Sequence, residues 1–510
     1  MPTSKGQARH PVLLEVNTRF WLRELATAPG KPGTLDQVPD AALDHIAGLG
    51  FNWLWPMGVW QSGTAGRALT LSQPQAIAEL RQALPDLTDL DVCTSPFAVQ
   101  SYSVHPDFGG ERALKSLRSR LRERGMRLML DFVPNHTALD HPWLAEHPEF
   151  YVHGQEVDLA REPANYIRID TPHGPLILAH GRDPYFPGWP DTLQLNYRHA
   201  GLRQAMIGEL SRIAGQCDGV RCDMAMLILP DVFARTWGDT ARPADGTAPV
   251  DTPFWPQAIA RVRREHPAFV LMAEAYWDLE WTLQQQGFDF TYDKRLYDSL
   301  RARDAGAVRG HLHADLDYQA RSARFLDNHD EERAAAAFPP GIHQAAAIVA
   351  YFVPGLRFFY DAQLLGRKSR GSVLLARRLD EPTDEALRTF YVRLLECLKD
   401  AALHEGRWQL LDCRPAWEGN PTASRFIAFA WDGLDGQRLL ITVNFGETQG
   451  QCYVGLPFAD LRGRTVVLSD QMSPASYDKS GDDLLARGLY LDMPAWGFHV
   501  FEGLGTGARQ

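Results

Sequence analysis

One pattern recurs along most of this chain: an amphipathic helix, a short turn, then an apolar strand that ends in polar or charged residues. Residues 111–124 (ERALKSLRSRLRER) set Leu114, Leu117 and Leu121 on one helical face, and Gly125 follows as a helix-ending residue. RLMLDFV then runs as a nearly continuous apolar strand of the kind buried on both faces in parallel sheets. The same order returns at 204–224, 258–275 and 343–362. LLEVN (13–17), FNWLW (51–55), FDFTYD (288–293) and SARFLD (322–327) bring the candidate strands to eight. Eight such units predict an α/β fold, a closed (βα)8 barrel of the TIM type with insertions. A doubly wound open sheet is the alternative, but it wants a Gly-rich phosphate loop after an early strand, and none is present.

The barrel is expected over residues 11–138 and 204–403. The spacing between the third and fourth strands is too long for one helix, so residues 139–203 are read as an inserted subdomain. From 405 to 506 the pattern changes to short alternating strands broken by Gly, Pro and Asp, among them RFIAFAWDG and RLLITVNFG, which predict an antiparallel β-sandwich. The Pro- and Gly-containing stretch 238–254 is read as a mobile surface loop, with a place on the cleft border as the alternative.

Composition excludes several partners. With 45% hydrophobic and 23% charged residues the chain can bury a large core and is not disordered. Its 52 basic against 63 acidic residues argue against nucleic acid or an anionic membrane as partner and fit a neutral substrate. No apolar run approaches the roughly 18 residues of a membrane helix. The N-terminus lacks the apolar stretch of a secretory leader, so the cytoplasm is the expected location. The six cysteines are scattered without zinc spacing and are read as small buried hydrophobes.

The chemistry sits where the strands end. In such a barrel the C-terminal ends of the strands carry the active site. Strand three runs into Asp131, then Asn135 and His136. Strand four delivers Arg221 and Asp223, strand five Glu274, and strand seven Asn328, His329 and Asp330. Arg221 and Asp223 lie two apart and share a strand face. Paired carboxylates beside an arginine are what glycoside cleavage needs: an ionised nucleophile and a protonated acid/base, about 5–5.5 Å apart in a retaining enzyme. Arg221 would favour the charged form of Asp223, whereas the apolar company of Glu274 (Ala273, Ala275, Tyr276, Trp277) would favour its neutral form. Asp223 is therefore expected as nucleophile and Glu274 as general acid/base.

DFVPNH (131–136), GVRCDMA (219–225), MAEAYW (272–277) and FLDNHD (325–330) resemble the four signature segments of the α-amylase family of glycoside hydrolases, glycoside hydrolase family 13, in order and on the matching strands. PGLRFFYDAQLLG (354–366) is similar to that family's eighth-strand segment. The resemblance implies that Asp330 holds substrate hydroxyls and stabilises the oxocarbenium-like transition state. It also implies that His136 and His329 bind the sugar on the non-reducing side of the cleaved bond, with Asp131 supporting from behind. Two departures stand out. Met226-Leu227 replace the Lys-His pair common after the nucleophile, and DTLQLNY (191–197) lacks the family's acidic DLN pattern. Asn135, the usual side-chain calcium ligand, remains, but the six to eight oxygens of a calcium site cannot be assembled, so no cofactor is expected, with a structural calcium the less favoured alternative. In SPFAVQSYSVHPDFGG (95–110), Phe97 takes the place of the family's sugar-stacking tyrosine if the loop is one residue shorter; a rigid alignment puts Pro96 there.

Trp53, Trp55 and Trp60 are read as core, and Tyr185, Phe186 and Trp189 of the Pro-rich insertion as a cleft wall. The resulting expectation is a retaining α-glycosidase acting on α-glucosidic bonds of maltooligosaccharides or related glucans. A transglycosylase or isomerase of the same family is the alternative, differing only in acceptor. A silent binding module is remote, because every carboxylate is kept. Linkage, endo or exo action and oligomeric state are left open.

Overall fold

The computed structural model describes residues 9–26, 33–172 and 174–505. The N-terminal residues read for a leader, and the last residue of the expected C-terminal unit, lie outside them. Eight strands close into a parallel barrel: β1 (Val12–Asn17), β2 (Trp53–Met57), β3 (Arg127–Phe132), β4 (Gly219–Cys222), β5 (Val270–Ala273), β6 (Phe290–Tyr292), β7 (Ser322–Arg324) and β8 (Leu356–Tyr360). Each pairs with its sequence neighbours, and β1 closes the ring on β8. These are the eight segments expected from the sequence. Helix α1 (Gly110–Glu123) buries Leu114, Leu117 and Leu121 against the barrel, and Gly125 ends the turn at φ +70°.

Register decides which side chains meet. Arg221 lies level with Asp131 on one side and Met272 on the other, and Glu15 lies level with Trp55. Barrel interiors are filled chiefly by bulky branched residues. Near the C-terminal rim this one instead buries Glu15, Trp55, Asp131, Arg221 and Tyr292 together.

The insertion is a small layer beside the rim. His136–Ala138 pairs antiparallel with Thr192–Gln194, and Tyr166–Thr171 forms a hairpin with Gly174–Ala179. Helix α2 (Ala200–Ala214) runs unbroken from residue 200, its start capped by the His199 ring accepting from the Leu202 N–H, so the insertion closes at about residue 199 rather than 203. The stretch 238–254 is tied to that junction and is absent from the lining of the catalytic cleft. Asp245 contacts His199 at 3.1 Å, Asp251 pairs with Arg198 at 2.8 Å, and Arg203 donates to the Thr252 carbonyl at 2.8 Å.

The C-terminal unit is a six-stranded sheet facing a three-stranded one. Alternation along Phe426–Asp432 explains how it docks. Phe426, Ala428 and Ala430 face the sandwich core, whereas Ile427, Phe429 and Trp431 join the barrel core. There helix α3 (Ile342–Phe352), buried at every position but Gln344, meets them, and Trp431 Nε1 donates to the Phe352 carbonyl at 2.7 Å. Among the described residues no helix is long and apolar enough to cross a membrane.

Trp431→Ala removes a fully buried side chain from this seam. It is expected to cost about 3–5 kcal/mol, read as a lowered midpoint in urea. An unchanged midpoint would mean that the sheet docks without this contact.

Candidate active site

A cleft of about 320 Å³ opens at the C-terminal rim of the barrel. Asp223, Glu274 and Asp330 line it together with His136, His329 and Phe97. Beneath them lies one guanidinium. Arg221 is fully buried, with one terminal nitrogen 2.5 Å from Asp223 Oδ1 and the other 2.7 Å from Glu274 Oε2; Asp330 Oδ2 is 3.9 Å away. Its plane also lies near the rings of Trp55, Phe97 and Tyr292, 5.2–5.8 Å from their centres.

Glu274 follows β5 directly. The Met224 N–H donates to its Oε2 at 2.7 Å and the Tyr276 hydroxyl to its Oε1 at 2.8 Å. Met224 reaches that position in a left-handed conformation, φ +40°, which a non-glycine residue adopts only under constraint. Burial pushes the Glu274 carboxyl up to about 7; Arg221 works against the rise, and the charges of Asp223 and Asp330 add to it.

His329 is held from both sides. Its Nδ1 lies 2.6 Å from Glu15 Oε1 and its Nε2 3.0 Å from Asp330 Oδ2. Burial disfavours its charged form, but these two carboxylates outweigh burial and raise the imidazole well above its usual range. Asp330, set 43% open to the cleft, is correspondingly held low: desolvation opposes this, and the charge and hydrogen bond of His329, then Arg221, prevail. The Asn328 side chain shapes this turn by accepting the N–H groups of Asp330 and Glu331 at 2.9 and 2.8 Å.

Four buried carboxyl groups (Glu15, Asp131, Asp223, Glu274) and the cleft-facing Asp330 thus gather around two buried cations, Arg221 and His329. Burial raises Glu15, Glu274 and Asp131, the last to about 6. The arrangement offers a carboxyl raised to about 7 beside a second carboxyl, with one guanidinium touching both.

Residues 27–373, more than half of the chain, match the family described as the alpha amylase catalytic domain. The chain belongs to the α-amylase family. Among curated members, α-amylase MalA of Haloarcula japonica is 23% identical over 458 residues, covering 88% of this chain and 57% of that one. Trehalose synthase/amylase TreS of Mycobacterium tuberculosis is 26% identical over 294 residues, 54% of this chain and 41% of that one. The chain spans about half the length of the curated relatives it matches. In fold it is similar to a maltogenic α-amylase, AmyB, from Thermotoga neapolitana, with TM-score 0.67 at 17% identity over 97% of this chain and 99% of that one. It is also similar to the α-amylase from H. orenii, with TM-score 0.66 at 18% identity over 98% and 100%.

Within this α-amylase fold the residues singled out from the family's segments fall into two layers. Asp223, Glu274, Asp330, His136, His329 and Phe97 face the cleft. Phe97 stacks on His329 at 5.1 Å and 25°, whereas Pro96 is turned against Gly58. Asp131 and Arg221 lie behind the lining rather than in it. Asp131 accepts from Trp55 Nε1 at 3.1 Å and from the Gly58 N–H at 2.7 Å. That cradle requires Gly58 at φ +80°, where a Cβ would strike Pro96. Trp189 reaches the wall beside His136, 5.1 Å between ring centres, but Tyr185 and Phe186 project to solvent. Trp53, Trp55 and Trp60 are core.

Glu15 was not foreseen, although a lone acid inside VLLEVN was the available signal. Tyr276 and Asp191, which also line the cleft, carried no sequence mark of that role.

Glu15→Gln keeps the shape but removes one of the two charges on His329. The imidazole is expected to titrate at lower pH than in the unaltered protein, followed by ¹⁵N NMR of its ring nitrogens. An unmoved titration would leave Asp330 alone responsible.

Proposed function

We propose that the protein is a retaining α-glycosidase that hydrolyses α-glucosidic bonds of maltooligosaccharides or related α-glucans. The observation that carries this reading is the single guanidinium between Asp223 and Glu274. One planar cation holds both carboxyl groups at its two terminal nitrogens, which supports the close pair of a retaining enzyme over the wider pair that admits a water between its members. Asp223 attacks the anomeric carbon while Glu274 protonates the departing oxygen, giving a β-linked glycosyl-enzyme. Glu274, now a base, takes a proton from water, which opens the intermediate with net retention. Asp330, with His136 and His329, holds the sugar hydroxyls, and Phe97 covers the ring. The relatives named amylase, maltase and α-glucosidase support hydrolysis. Those named trehalose synthase and maltosyltransferase favour the second reading, in which a sugar or phosphate replaces water as acceptor.

Time-resolved proton NMR with maltoheptaose and, separately, sucrose tests both. Early α-anomeric shorter products indicate retaining hydrolysis, whereas longer oligosaccharides or isomers indicate transfer. Asp223→Asn and Glu274→Gln are expected to fold yet lose on the order of 10²–10⁴-fold or more in turnover. The acid must be protonated in the free enzyme. With Glu274 raised to about 7, kcat/KM is expected to fall as pH rises through about 7, tenfold per unit. A profile flat from pH 6 to 9 would refute Glu274 as the acid.

A calcium ion, which the family resemblance suggests at Asn135, does not fit the residues present. Gln194 Nε2 donates to the Asn135 carbonyl at 2.9 Å, to Asn135 Oδ1 at 3.0 Å and to the Leu195 carbonyl at 3.0 Å. Asn135 Nδ2 returns a hydrogen bond to Gln194 Oε1 at 3.2 Å. A neutral amide therefore takes the oxygens a cation would need, and both residues are buried. Among the described residues no group of three His, Cys, Asp or Glu stands ready to hold a metal. The melting temperature is expected to be indifferent to EDTA and to added calcium, whereas Gln194→Leu, which orphans these oxygens, should cost about 1–3 kcal/mol. A melting temperature lowered by EDTA would overturn this reading.

A further inference from the structure

The carboxyl assigned as acid/base is held at both of its oxygens, by unequal partners. Glu274 Oε2 has a terminal Arg221 nitrogen at 2.7 Å and the Met224 N–H at 2.7 Å. Both are donors, so a proton on that oxygen would meet hydrogens already aimed at it. Oε1 is left to carry the proton that Glu274 gives up. Its partner is the Tyr276 hydroxyl, at 2.8 Å. Burial raises that phenol well above its ordinary range, so it stays neutral and does not compete as the acid. A neutral hydroxyl both donates and accepts. It accepts from Oε1 while Glu274 is protonated and donates to Oε1 once the proton has gone.

The backbone is strained where it sets Tyr276 in place. Tyr276 opens a tight turn, closed by the Leu279 N–H donating to the Tyr276 carbonyl at 3.3 Å. The two central residues, Trp277 and Asp278, are both left-handed, at φ +64° and +58°. Turns of that kind take chiefly Gly, Asn or Asp at these positions. A bulky ring at the first of them persists only where its surroundings hold it. Tyr185 of the insertion supplies such a brace, meeting Trp277 edge-to-face at 5.0 Å. The other titratable groups around Glu274 come from separate elements. Arg221 and Asp223 belong to β4 and its end, the Tyr292 phenol to β6, and Asp330, with His329 against it, to the turn after β7. His136 and Asp191 stand elsewhere in the cleft lining.

We propose that Tyr276 is a positioning residue for the acid/base: its hydroxyl keeps Oε1 as the proton-carrying oxygen of Glu274 and stabilises the carboxylate left after proton transfer. The proposal rests on the glycosidase reading given above and deepens it. In the first step the Oε1 proton passes to the departing oxygen, whose bond to the anomeric carbon breaks as the bond to Asp223 forms. Tyr276 then donates to the new carboxylate. In the second step Oε1 takes a proton from water, whose oxygen bonds the anomeric carbon as the bond to Asp223 breaks, and Tyr276 returns to accepting.

A hydroxyl that donates to the charged form lowers a carboxyl, so removing it raises Glu274. Protein labelled with ¹³C at the glutamate side-chain carboxyls gives the Glu274 titration directly, the Glu274→Gln spectrum identifying its signal. In Tyr276→Phe the midpoint is expected about one pH unit higher than in the unaltered protein, and the fall of kcat/KM for maltoheptaose with rising pH should move up with it. 3-Fluorotyrosine placed at position 276 alone, a stronger donor of nearly the same shape, is expected to move both down. A structural role without the hydrogen bond would not give opposite shifts. Midpoints that stay in place, or that move in the same direction in the two variants, overturn the role of Tyr276 alone if the unaltered protein turns over maltoheptaose. A protein that turns over neither maltoheptaose nor sucrose refutes the glycosidase reading and this proposal together.

Discussion

The rim of this barrel is organised around one buried positive charge. A guanidinium taken fully out of water is strongly penalised, and it persists only where carboxylates and hydrogen-bond acceptors surround it. Arg221 meets Asp223, Glu274 and, further off, Asp330, with Tyr292 at 3.3 Å from its Nε. Every one of these groups sits on a different strand or strand end except the adjacent Asp223. Closing the barrel and assembling the site are therefore one event. The same crowding sets the carboxyls apart: burial raises Glu274, while His329 and Arg221 hold Asp330 low.

The surrounding structure serves this cluster by excluding water and fixing rotamers. Trp55 hydrogen-bonds Asp131 from below, Phe97 covers His329, and Glu15 reaches its second nitrogen from a strand more than three hundred residues away in sequence. The insertion is pinned to the barrel at Asn135 by the Gln194 amide, which makes a direct polar bridge where the family resemblance suggests an ion. The sandwich is anchored through the alternation of Phe426–Asp432, which gives one face to each core.

Much of this could be read in the chain. The change from helical to strand spacing located all eight barrel strands, because strands buried on both faces leave long apolar runs with conspicuous polar ends. Those ends named Asp223, Glu274, Asp330, His136 and His329. Less was legible where the meaning of a residue depends on its neighbours in space. Glu15 is one acid in an apolar strand and gains a role only when β1 closes beside the turn bearing His329. Arg221 and Asp131 share the strand ends of the lining residues yet point beneath them, a matter of one register level. The stretch 238–254 has a loop's composition, but His199, Arg198 and Arg203 fasten it, and composition carries no record of such partners.

The sequence by itself determined the strand and helix periods, the order of the units and the chemical groups at each strand end, since these follow from side-chain spacing and identity. Tertiary structure alone decided which groups share one dry volume. That sharing sets which carboxyl is raised, which amide meets Asn135, and which ring lies over His329. Desolvation and charge coupling depend on distance through space, and only the closed, registered barrel fixes those distances.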